Sequence, residues 1–552
     1  MIEHTLPEGS QWQGRRTTGG IYLLPDRARL FDTTLRDGAQ TEGVCFSNED
    51  KLEILERLDA FGIDFIEGGY PASNPKDRAF FQAARRVELR NSKLVAFGAT
   101  HRSGVRPEED KGMDALLEAG TEWVCVFGKA WDLHVEKALQ VPLEENLRIV
   151  RDTVAYLKGK GRSVIFDAEH FFDGYQHNAE YAMGVLHEAE DAGADWLCLC
   201  DTNGGAFPSL VGKVVSRVRE EMRAPLGIHA HNDGELAVGN SLAAVEAGAA
   251  MVQGTVNGLG ERCGNANLCS IIPNLMLKMG VRTGISDLSQ LTKLSHFVAE
   301  MANVAPDPRA PFVGKSAFAH KGGIHVSAVL KDPRTYEHVD PALVGNQRRV
   351  LVSELSGVSN IIAKAEELGI GTERDVGRLV LERMKELEAE GFQYEAAEAS
   401  LELLIRKLKG QSTSPFKLEG FRTFMDVTGD VMTSEASVRV VDSDGTLEHT
   451  AADGNGPVNA LDRALRKALE RFYPVLKEVR LIDYKVRVID GKEGTAAKVR
   501  VLITSTDGKQ SWTTIGVSGN IIEASLMALI DSIEYKLMRA GVNGTGGSLN
   551  CQ

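Results

Sequence analysis

The segment WLCLCDTNGGAFPSLVGKVVSRVREEMRAPLGIHAHND (196–233) contains one complete strand, helix and strand pattern. Its first apolar run, WLCLCDT (196–202), and its last, LGIHAHND (226–233), are short and end in polar residues. The stretch between them has the apolar spacing of an amphipathic helix. Two strands joined through a helix run parallel to each other. This segment therefore predicts one unit of a parallel α/β sheet.

The same unit recurs along the first half of the chain. Six further strand candidates are RLFDTT (29–34), DFIEGG (64–69), KLVAFGAT (93–100), EWVCVFGK (122–129), SVIFDAEH (163–170) and MVQGTVNG (251–258). Several intervening helices end in a glycine that leads directly into the next strand, as at Gly62 and Gly193. Ser47 with Asp50 has the pattern of a helix N-cap box. Eight βα units in about 250 residues predict an α/β fold, a (β/α)8 TIM barrel over residues 29–285.

The rest of the chain divides into segments of different character. Residues 1–28 are predicted to be an N-terminal extension, and residues 286–425 to form helical linker subdomains. Strands and helices then alternate differently, and two pieces resemble each other: NALDRAL (459–465) and EASLMAL (523–529). Each begins a helix behind a Gly-Asn turn, which predicts a duplicated α+β domain over residues 426–540. The Gly- and Asn-rich residues 541–552 are predicted to be a flexible tail.

Composition excludes several classes of protein. The 552 residues carry a net charge of −14 and no basic face is apparent, which argues against binding to nucleic acid or to a membrane surface. No apolar run reaches the roughly 18 residues that span a bilayer. The first 28 residues lack the apolar core of a signal peptide, so we expect a cytoplasmic protein. The seven cysteines form no CxxC pairs, and we expect reduced, buried thiols.

Polar side chains collect at the predicted carboxyl ends of the strands, where barrel enzymes place their catalytic groups. His229 and His231 are two residues apart on a strand, so both imidazoles lie on one face. With Asp37 they form a two-histidine, one-carboxylate set that can bind a metal and leave positions open. Non-haem iron oxygenases use similar ligands, so the set alone does not name the reaction. The alternative is a pair of histidines hydrogen-bonded within the core.

Three other strand-end residues suggest chemistry. A guanidinium at Arg36, beside Asp37, can stabilise an enolate or a keto-acid oxygen, although a structural salt bridge is the alternative. Glu169 can act as a general base or orient another group, and Thr202 can donate a hydrogen bond to a carboxylate. Phe127 and Asp167, on neighbouring strand ends, are expected to line the substrate pocket.

Several longer motifs resemble one family. FDTTLRDGAQTEGVCFS (31–47), HAHND (229–233) and NGLGERCGNANL (257–268) are similar to the signatures of the DRE-type metal-dependent aldolases and Claisen-condensing barrels. This family includes 2-isopropylmalate, homocitrate and citramalate synthases and 3-hydroxy-3-methylglutaryl-CoA lyase. The resemblance continues through residues 321–360 and resumes at DGNGPVNALDRAL (453–465), which is similar to the amino-acid-sensing domain of the synthases. The lyases lack that domain, which argues against a retro-aldol lyase.

The resemblance implies roles for individual residues. Asp37, His229, His231 and Asn265 match the family's metal ligands, with Mg²⁺ or Mn²⁺ expected and Zn²⁺ as an alternative. Arg36 matches the arginine that stabilises the enolate and keto-acid oxygens. Glu169 matches a catalytic carboxylate, and Thr202 a contact to the keto-acid carboxylate. His325 and Tyr336 match residues that reach the active site from the following subdomain, often from the partner chain, and His325 assisted by Glu169 is the expected base.

Within the family, EGGYPASNPKD (67–77), FDAEHFFDGY (166–175) and GVSGNIIEASLMALIDSIEYKL (516–537) are most similar to one branch of the citramalate synthases. That similarity implies condensation of acetyl-CoA with pyruvate, a homodimer, and restraint by an amino acid, expected to be isoleucine. Three alternatives stay open. They are the same chemistry on 2-ketoisovalerate or 2-ketoglutarate, a retro-aldol lyase, and an amino-acid sensor with an inactive barrel.

Overall fold

The computed structural model describes residues 24–411, 414–428, 431–489 and 491–542. These residues form two compact units. The first unit extends to Phe318 and includes Val339–Gln347, and the second comprises Ala319–His338 and the chain from Arg348 onward. Most of the predicted N-terminal extension and of the predicted tail lies outside the described residues. None of the described helices is long and apolar enough to cross a lipid bilayer.

A closed barrel of parallel strands forms the centre of the first unit, and this confirms the predicted fold class. Its strands are β1 (Arg29–Asp32), β2 (Phe65–Gly69), β3 (Lys93–Ala99), β4 (Trp123–Lys129), β5 (Ser163–Glu169), β6 (Trp196–Asp201), β7 (Leu226–Ala230) and β8 (Met251–Gly254). Each strand pairs with its neighbours in chain order, and β1 pairs with β8 to close the ring.

Helices follow the strands and pack on the outside of the barrel across a large apolar cluster. They are α1 (Asn48–Phe61), α2 (Pro75–Ala84), α3 (Lys111–Ala119), α4 (Asp132–His134), α5 (Leu143–Gly159), α6 (Phe171–His177), α7 (Ala179–Asp191), α8 (Pro208–Glu221), α9 (Ala237–Glu246), α10 (Leu268–Pro273) and α11 (Leu291–Met301).

Helix α1 shows how local sequence sets the boundaries of these elements. The Ser47 hydroxyl accepts from the Asp50 amide at 3.0 Å, and the Asp50 carboxylate accepts from the Ser47 amide at 2.7 Å, as the predicted N-cap box requires. The helix ends at Gly62, whose φ of 102° lies in the left-handed region. A Cβ atom there would lie 2.6 Å from the carbonyl oxygen of Gly284, so a side chain is excluded by both strain and space.

The inside of the barrel is filled by a second apolar cluster. Its buried members are Phe31, Phe65, Val95, Phe97, Cys125, Ile165, Cys198, Cys200 and Met251. The six described cysteines are free, as predicted, and four of them are buried, whereas Cys45 and Cys263 are exposed. Because this apolar cluster fills much of the barrel's interior, the candidate metal ligands lie at or beyond the carboxyl ends of the strands.

The second unit combines helices with two small antiparallel sheets. Its elements are β9 (Ala319–His320), α12 (Gly323–Val329), β10 (Arg349–Val350), α13 (Val358–Glu367), α14 (Arg374–Glu390), α15 (Glu398–Leu408), β11 (Phe416–Thr428), β12 (Val431–Asp442), β13 (Leu447–Gly454), α16 (Pro457–Phe472), β14 (Arg480–Val488), β15 (Val499–Thr506), β16 (Ser511–Ser518) and α17 (Ile521–Arg539).

The duplication predicted from the sequence is visible in this unit. Strands β11, β12 and β13 form one sheet followed by α16, and strands β14, β15 and β16 form another followed by α17. Strand β11 begins at Phe416 and so crosses the predicted boundary between residues 425 and 426. The short parallel pair β9 and β10 lies within the segment predicted to be helical. The other domain boundaries stay predictions.

Candidate active site

Four predicted metal ligands come together at one end of the barrel. Nε2 of His229 lies 3.2 Å from Nε2 of His231 and 3.5 Å from Oδ2 of Asp37. The amide nitrogen of Asn265 lies 3.2 Å from Oδ2 of Asp37 and 3.3 Å from Nε2 of His229. All four residues are buried. Side chains that are as much as 228 positions apart in the chain therefore face one point.

The backbone places these four groups by simple means. His229 lies in β7 and His231 directly after it, so their side chains leave the strand on the same face. A short antiparallel bridge joins His231 to Asn265, and the Asn265 amide donates to Gly258 at 3.1 Å. Asp37 follows β1, which is the neighbour of β8 in the closed ring. Barrel closure therefore brings the first and last strand ends to the two histidines.

The lowered pKa values of His231 and Asp37 favour the deprotonated forms that bind a cation. Burial and the neighbouring His229 lower the pKa of His231 to about 3, so its imidazole is neutral at pH 7. Burial alone would raise the pKa of Asp37, but Arg36 and the two histidines hold it below its ordinary value. Metal ligands must be deprotonated, and these two residues already are.

A hydrogen-bonded chain orients His229. Its Nδ1 lies 2.8 Å from Oε1 of Gln253, and Nε2 of Gln253 donates to Asp167 at 2.9 Å. Because the Gln253 amide oxygen accepts from Nδ1, the lone pair of the His229 ring is on Nε2, which faces Asp37 and His231. A hydrogen bond to the outer nitrogen is the usual support of a metal-binding histidine.

The donor set fits a divalent cation. The ligand atoms of Asp37, His229 and His231 all lie within 4.8 Å of one another. Oδ1 of Asn265 is buried without a hydrogen-bond partner, and exchange of the amide's oxygen and nitrogen would turn that oxygen toward the histidines. One carboxylate, one amide oxygen and two imidazoles suit Mn²⁺, Mg²⁺ or Zn²⁺.

A second group of ligand-type residues lies inside the barrel. Atoms of Asp167, Cys198 and Cys200 also lie within 4.8 Å of one another. Burial raises the pKa of Cys198 and raises that of Cys200 to about 11, so both remain thiols at pH 7. Thiolates are the form that binds metals. These cysteines therefore act as apolar filling of the barrel.

Arg36 is held rigidly beside the metal ligands. Its Nη1 donates to Asp37 and its Nε donates to Glu67 at 2.6 Å. The guanidinium carbon lies 3.7 Å from the centre of the Phe97 ring. Burial disfavours the charged guanidinium, but Asp37 and Glu67 raise the pKa of Arg36 above its ordinary value. The predicted oxyanion-binding arginine is thus permanently charged and has little freedom to move.

Two other predicted residues lie on the strand ends next to each other. Glu169, the last residue of β5, forms an ion pair with Lys129 at the end of β4. The Thr202 hydroxyl, after β6, accepts from the His170 amide at 2.8 Å. Their predicted contacts with substrate stay predictions, as does the catalytic role of Glu169.

The two predicted pocket residues differ in their surroundings. The ring of Phe127 stacks on that of Phe97, with centroids 5.3 Å apart, and a cleft of about 260 Å³ opens beside it. Asp167 is almost fully buried and accepts from Gln253. This contact favours a role for Asp167 in orienting His229 rather than in touching the substrate.

His325 and Tyr336 belong to the second unit, where His325 lies on α12. Their rings lie against each other with centroids 4.3 Å apart, and both residues are exposed. Their predicted approach to the barrel's active site stays a prediction.

Four further residues of the site are not among those predicted from the sequence: Glu67, Gln253, Phe97 and Lys129. Glu67 is a fully buried acid in an otherwise apolar strand. An acid in such a strand indicates a buried partner of opposite charge, because burial of an unpaired charge is costly. Gln253 is a similar polar interruption of β8. Phe97 and Lys129 carry no comparable signal, since an aromatic residue in a strand or a lysine at its end is ordinary.

Comparisons with known proteins identify the family of the chain. A family model described as HMGL-like matches residues 27–298, one described as homocitrate synthase post-HMGL domain-like matches residues 312–391, and the LeuA allosteric (dimerisation) domain matches residues 395–537. The chain is 55% identical to an (R)-citramalate synthase of Aquifex aeolicus, over 94% of this chain and 99% of the relative.

Other relatives extend the comparison. An (R)-citramalate synthase of a Synechocystis strain is 53% identical, over 92% of this chain and 96% of the relative. A 2-isopropylmalate synthase of Methanocaldococcus jannaschii is 33% identical, over 94% of this chain and 96% of the relative. The predicted family and the prediction that the chain is an enzyme are both confirmed. The chain belongs to the citramalate synthase family, within the group of 2-isopropylmalate and homocitrate synthases.

Proposed function

We propose that the protein condenses acetyl-CoA with pyruvate and water to give (R)-citramalate and CoA. The observation that carries this proposal is the complete set of Asp37, His229, His231 and Asn265 beside Arg36, in a chain that is 55% identical to an (R)-citramalate synthase. An inactive barrel would have no reason to keep buried charges paired so closely around one point. An amino-acid sensor without catalysis is therefore the weaker interpretation.

The residues at the carboxyl ends of the barrel strands can have separate roles in the reaction. Asp37, His229, His231 and Asn265 would hold a divalent cation, which would supply a Lewis acid for the keto-acid carbonyl; Mg²⁺ or Mn²⁺ suits oxygen-rich substrates, with Zn²⁺ as the alternative. Arg36 is charged and fixed by Asp37 and Glu67, so it can hold the oxygen that becomes an alkoxide without reorganising.

A base must remove a proton from the methyl group of acetyl-CoA. His325 is our candidate, assisted by Glu169. The exposed His325 ring packs against Tyr336, and Glu169 is neutralised by Lys129. The carbanion then attacks the keto carbon to form the new carbon–carbon bond. Water cleaves the thioester, CoA leaves as the thiol, and the second carboxylate of the product forms.

The walls of the acceptor site favour a small keto acid. Phe97 stacks on Phe127, and Tyr70 packs edge-on against Phe97 with centroids 5.7 Å apart. These three rings, of which Phe97 packs against Arg36, form an apolar surface that suits the methyl group of pyruvate. Lys129, at the end of β4, is already paired with Glu169, which disfavours the second carboxylate of 2-ketoglutarate. One added methylene is worth only about 1–3 kcal/mol in such a pocket, so 2-ketoisovalerate is the alternative acceptor.

The experiment that tests this proposal follows CoA release with a thiol reagent. Acetyl-CoA and Mn²⁺ or Mg²⁺ are supplied with pyruvate, 2-ketoisovalerate or 2-ketoglutarate in separate reactions. We expect turnover mainly with pyruvate. Turnover mainly with another acceptor would refute the substrate and keep the chemistry, while no turnover with any acceptor would refute the synthase.

We also propose that the protein is a homodimer formed through its C-terminal domain. The LeuA dimerisation model matches this region, and the β11–β12 hairpin exposes apolar residues. Val427 and Met432 are directly opposite each other and are 61% and 62% exposed. An apolar surface of this kind is typical of an interface. Light scattering should show a dimer that Val427→Glu converts to monomer, whereas Asp426→Ala, on the same strand, should leave it intact.

Feedback by an amino acid completes the proposal, with isoleucine as the expected effector. The match to an allosteric domain supports the regulatory type of this region. Isoleucine should inhibit turnover at concentrations at which leucine does not. Equal or stronger inhibition by leucine would refute isoleucine as the selective effector, and no effect of either amino acid would leave the domain with a dimerisation role alone.

A further inference from the structure

A cleft of about 440 Å³ opens in the second unit, and none of its lining residues has a proposed catalytic role. Most of its lining is polar or charged. Its basic residues are Lys321, Arg487 and Arg500, and its acidic residues are Glu354, Glu388 and Glu395. Such a lining does not resemble the apolar pocket that a branched-chain side chain would fill.

Three parts of the second unit form the walls of this cleft. Lys321 and Glu354 lie beside the short strands β9 and β10, Glu388 lies near the end of α14, and Arg487 and Arg500 lie on β14 and β15. The parts are already linked at one point, because Nε of Arg500 donates to the Gly391 carbonyl at 2.6 Å. A ligand in the cleft would contact all three parts at once.

The cleft contains two arginines whose side chains lie next to each other. Arg487 and Arg500 are directly opposite each other in the antiparallel pair β14–β15, so their side chains leave the sheet on the same face. Like charges in this position destabilise a sheet. Burial and the neighbouring Arg487 lower the pKa of Arg500. The repulsion between the two guanidinium groups is therefore present within the fold.

The acids of the cleft do not neutralise this pair. Glu395 is paired with Lys321 at 2.7 Å, and the Glu388 carboxylate accepts from the Glu354 amide. In the described structure Arg500 donates to two neutral groups, the Gly391 carbonyl and the Gln393 side chain, and Glu388 favours its charge without forming an ion pair. Within the part of the chain that the structure describes, Arg487 forms no ion pair. Neither guanidinium therefore forms an ion pair with an acid of the cleft.

We propose that this cleft binds a small anion through Arg487 and Arg500. The ligand carries a carboxylate or a phosphate group, because either one matches the planar fork of a guanidinium and can accept from two of them. An anion between the arginines removes their repulsion and ties the C-terminal sheet to helix α14 and to the segment around Lys321.

Binding of an anion in the cleft has a consequence for catalysis, and this consequence rests on the proposed function. Lys321 lies two residues before α12, the helix that carries His325. A ligand that fixes the β9–β10 segment also fixes the start of that helix. The bound anion therefore changes turnover through the position of His325, without contacting the substrate.

The test uses titration calorimetry on the full-length protein with two probes, inorganic phosphate and malonate. Both should bind to wild type, and the tighter probe identifies the source of the charge. Arg487→Ala should weaken binding at least tenfold. Arg480→Ala removes a cation from the same strand outside the cleft and should bind like wild type. Binding that is equal in Arg487→Ala, or absent from wild type, would overturn the proposal.

A second variant separates a binding role from a structural one. Arg487→Glu places an acid opposite Arg500, so it should abolish anion binding and raise the melting temperature above that of wild type. Retained binding in this variant would refute the site. Since binding is measured without substrates, a failure of the citramalate reaction would not be mistaken for a failure of this site.

Discussion

Substitution of Glu67 by glutamine tests how the reactive arginine is held. The Glu67 carboxylate is fully buried and accepts from Nε of Arg36 and from the Thr33 hydroxyl, each at 2.6 Å. Glutamine keeps the size and the acceptor oxygen but removes the charge. Oε1 of Glu67 is buried without a hydrogen-bond partner in the described structure, so the neutral amide can keep the acceptor oxygen toward Arg36 but not the charge that holds the guanidinium. Arg36 should therefore lose its fixed orientation.

The expected size of the effect comes from the hydrogen bond that changes. A bond to a charged group contributes about 1.5–3 kcal/mol and a neutral one about 0.5–1.5 kcal/mol, so the difference is about 1–2 kcal/mol. At about 1.4 kcal/mol for each tenfold change, kcat/KM should fall roughly 5- to 30-fold. The fall should appear mainly in kcat, since Arg36 is proposed to act on charge that develops during the reaction.

The assay is steady-state CoA release with pyruvate varied at saturating acetyl-CoA and metal. Glu402→Gln is the matched control, because Glu402 is an equally buried acid that binds Arg406 in the second unit. The control should lose a similar amount of stability and keep the wild-type kcat. A folded Glu67→Gln protein with unchanged kcat/KM would show that Arg36 does not depend on Glu67.

Three further changes have definite expected outcomes. Asn265→Ala should weaken Mn²⁺ binding by about 10- to 100-fold in a calorimetric titration of the apoprotein, and unchanged affinity would remove Asn265 from the ligand set. Phe127→Ala should raise kcat/KM for 2-ketoisovalerate relative to pyruvate about tenfold or more, because the apolar wall is shortened; an unchanged ratio would remove Phe127 from the pocket. Burial raises the pKa of Asp531 from 3.8 to about 7, so its protonated form stabilises the fold fully below pH 3.8, and this stability is lost as the pH rises through 7. Asp531→Asn should remove that loss, which is at most about 4 kcal/mol of unfolding free energy between these pH limits. Urea unfolding at pH 6 and pH 8 should therefore show a smaller difference in unfolding free energy for the variant than for wild type.

The sequence predicts the barrel well because each strand carries its own signal. Short apolar runs bounded by glycine turns recur at regular spacing, and all eight appear as strands. The ends are less well predicted. LGIHAHND was expected to be extended through residue 233, but β7 ends at Ala230. His231 instead bridges to Asn265, a partner 34 residues later that no local pattern reveals.

The metal ligands could be predicted and their supports could not. The spacing of His229 and His231 places both rings on one face, and this is a local property of a strand. The support of His229 by Gln253 and Asp167 requires β5, β7 and β8 to face one barrel interior, although β5 does not pair with either of the other two strands. Glu67 likewise acquires its role only when β2 lies beside β1. Such contacts follow from tertiary packing, which the sequence pattern of one strand does not contain.

The pairing of β1 with β8 has a consequence for how the chain is made. Thr34 and Val256 share a hydrogen bond across 222 residues, and the ring cannot close before both segments exist. A chain that emerges from the ribosome in order therefore presents β1 with one open edge until β8 follows, and open edges are where strands pair with the wrong partner. Contacts of such long separation also slow folding. Closure of the barrel thus waits for β8, which ends at Gly254 in a chain of 552 residues, so it can occur during synthesis. The interval before β8 emerges is when the nascent chain is most exposed to aggregation and most dependent on chaperones.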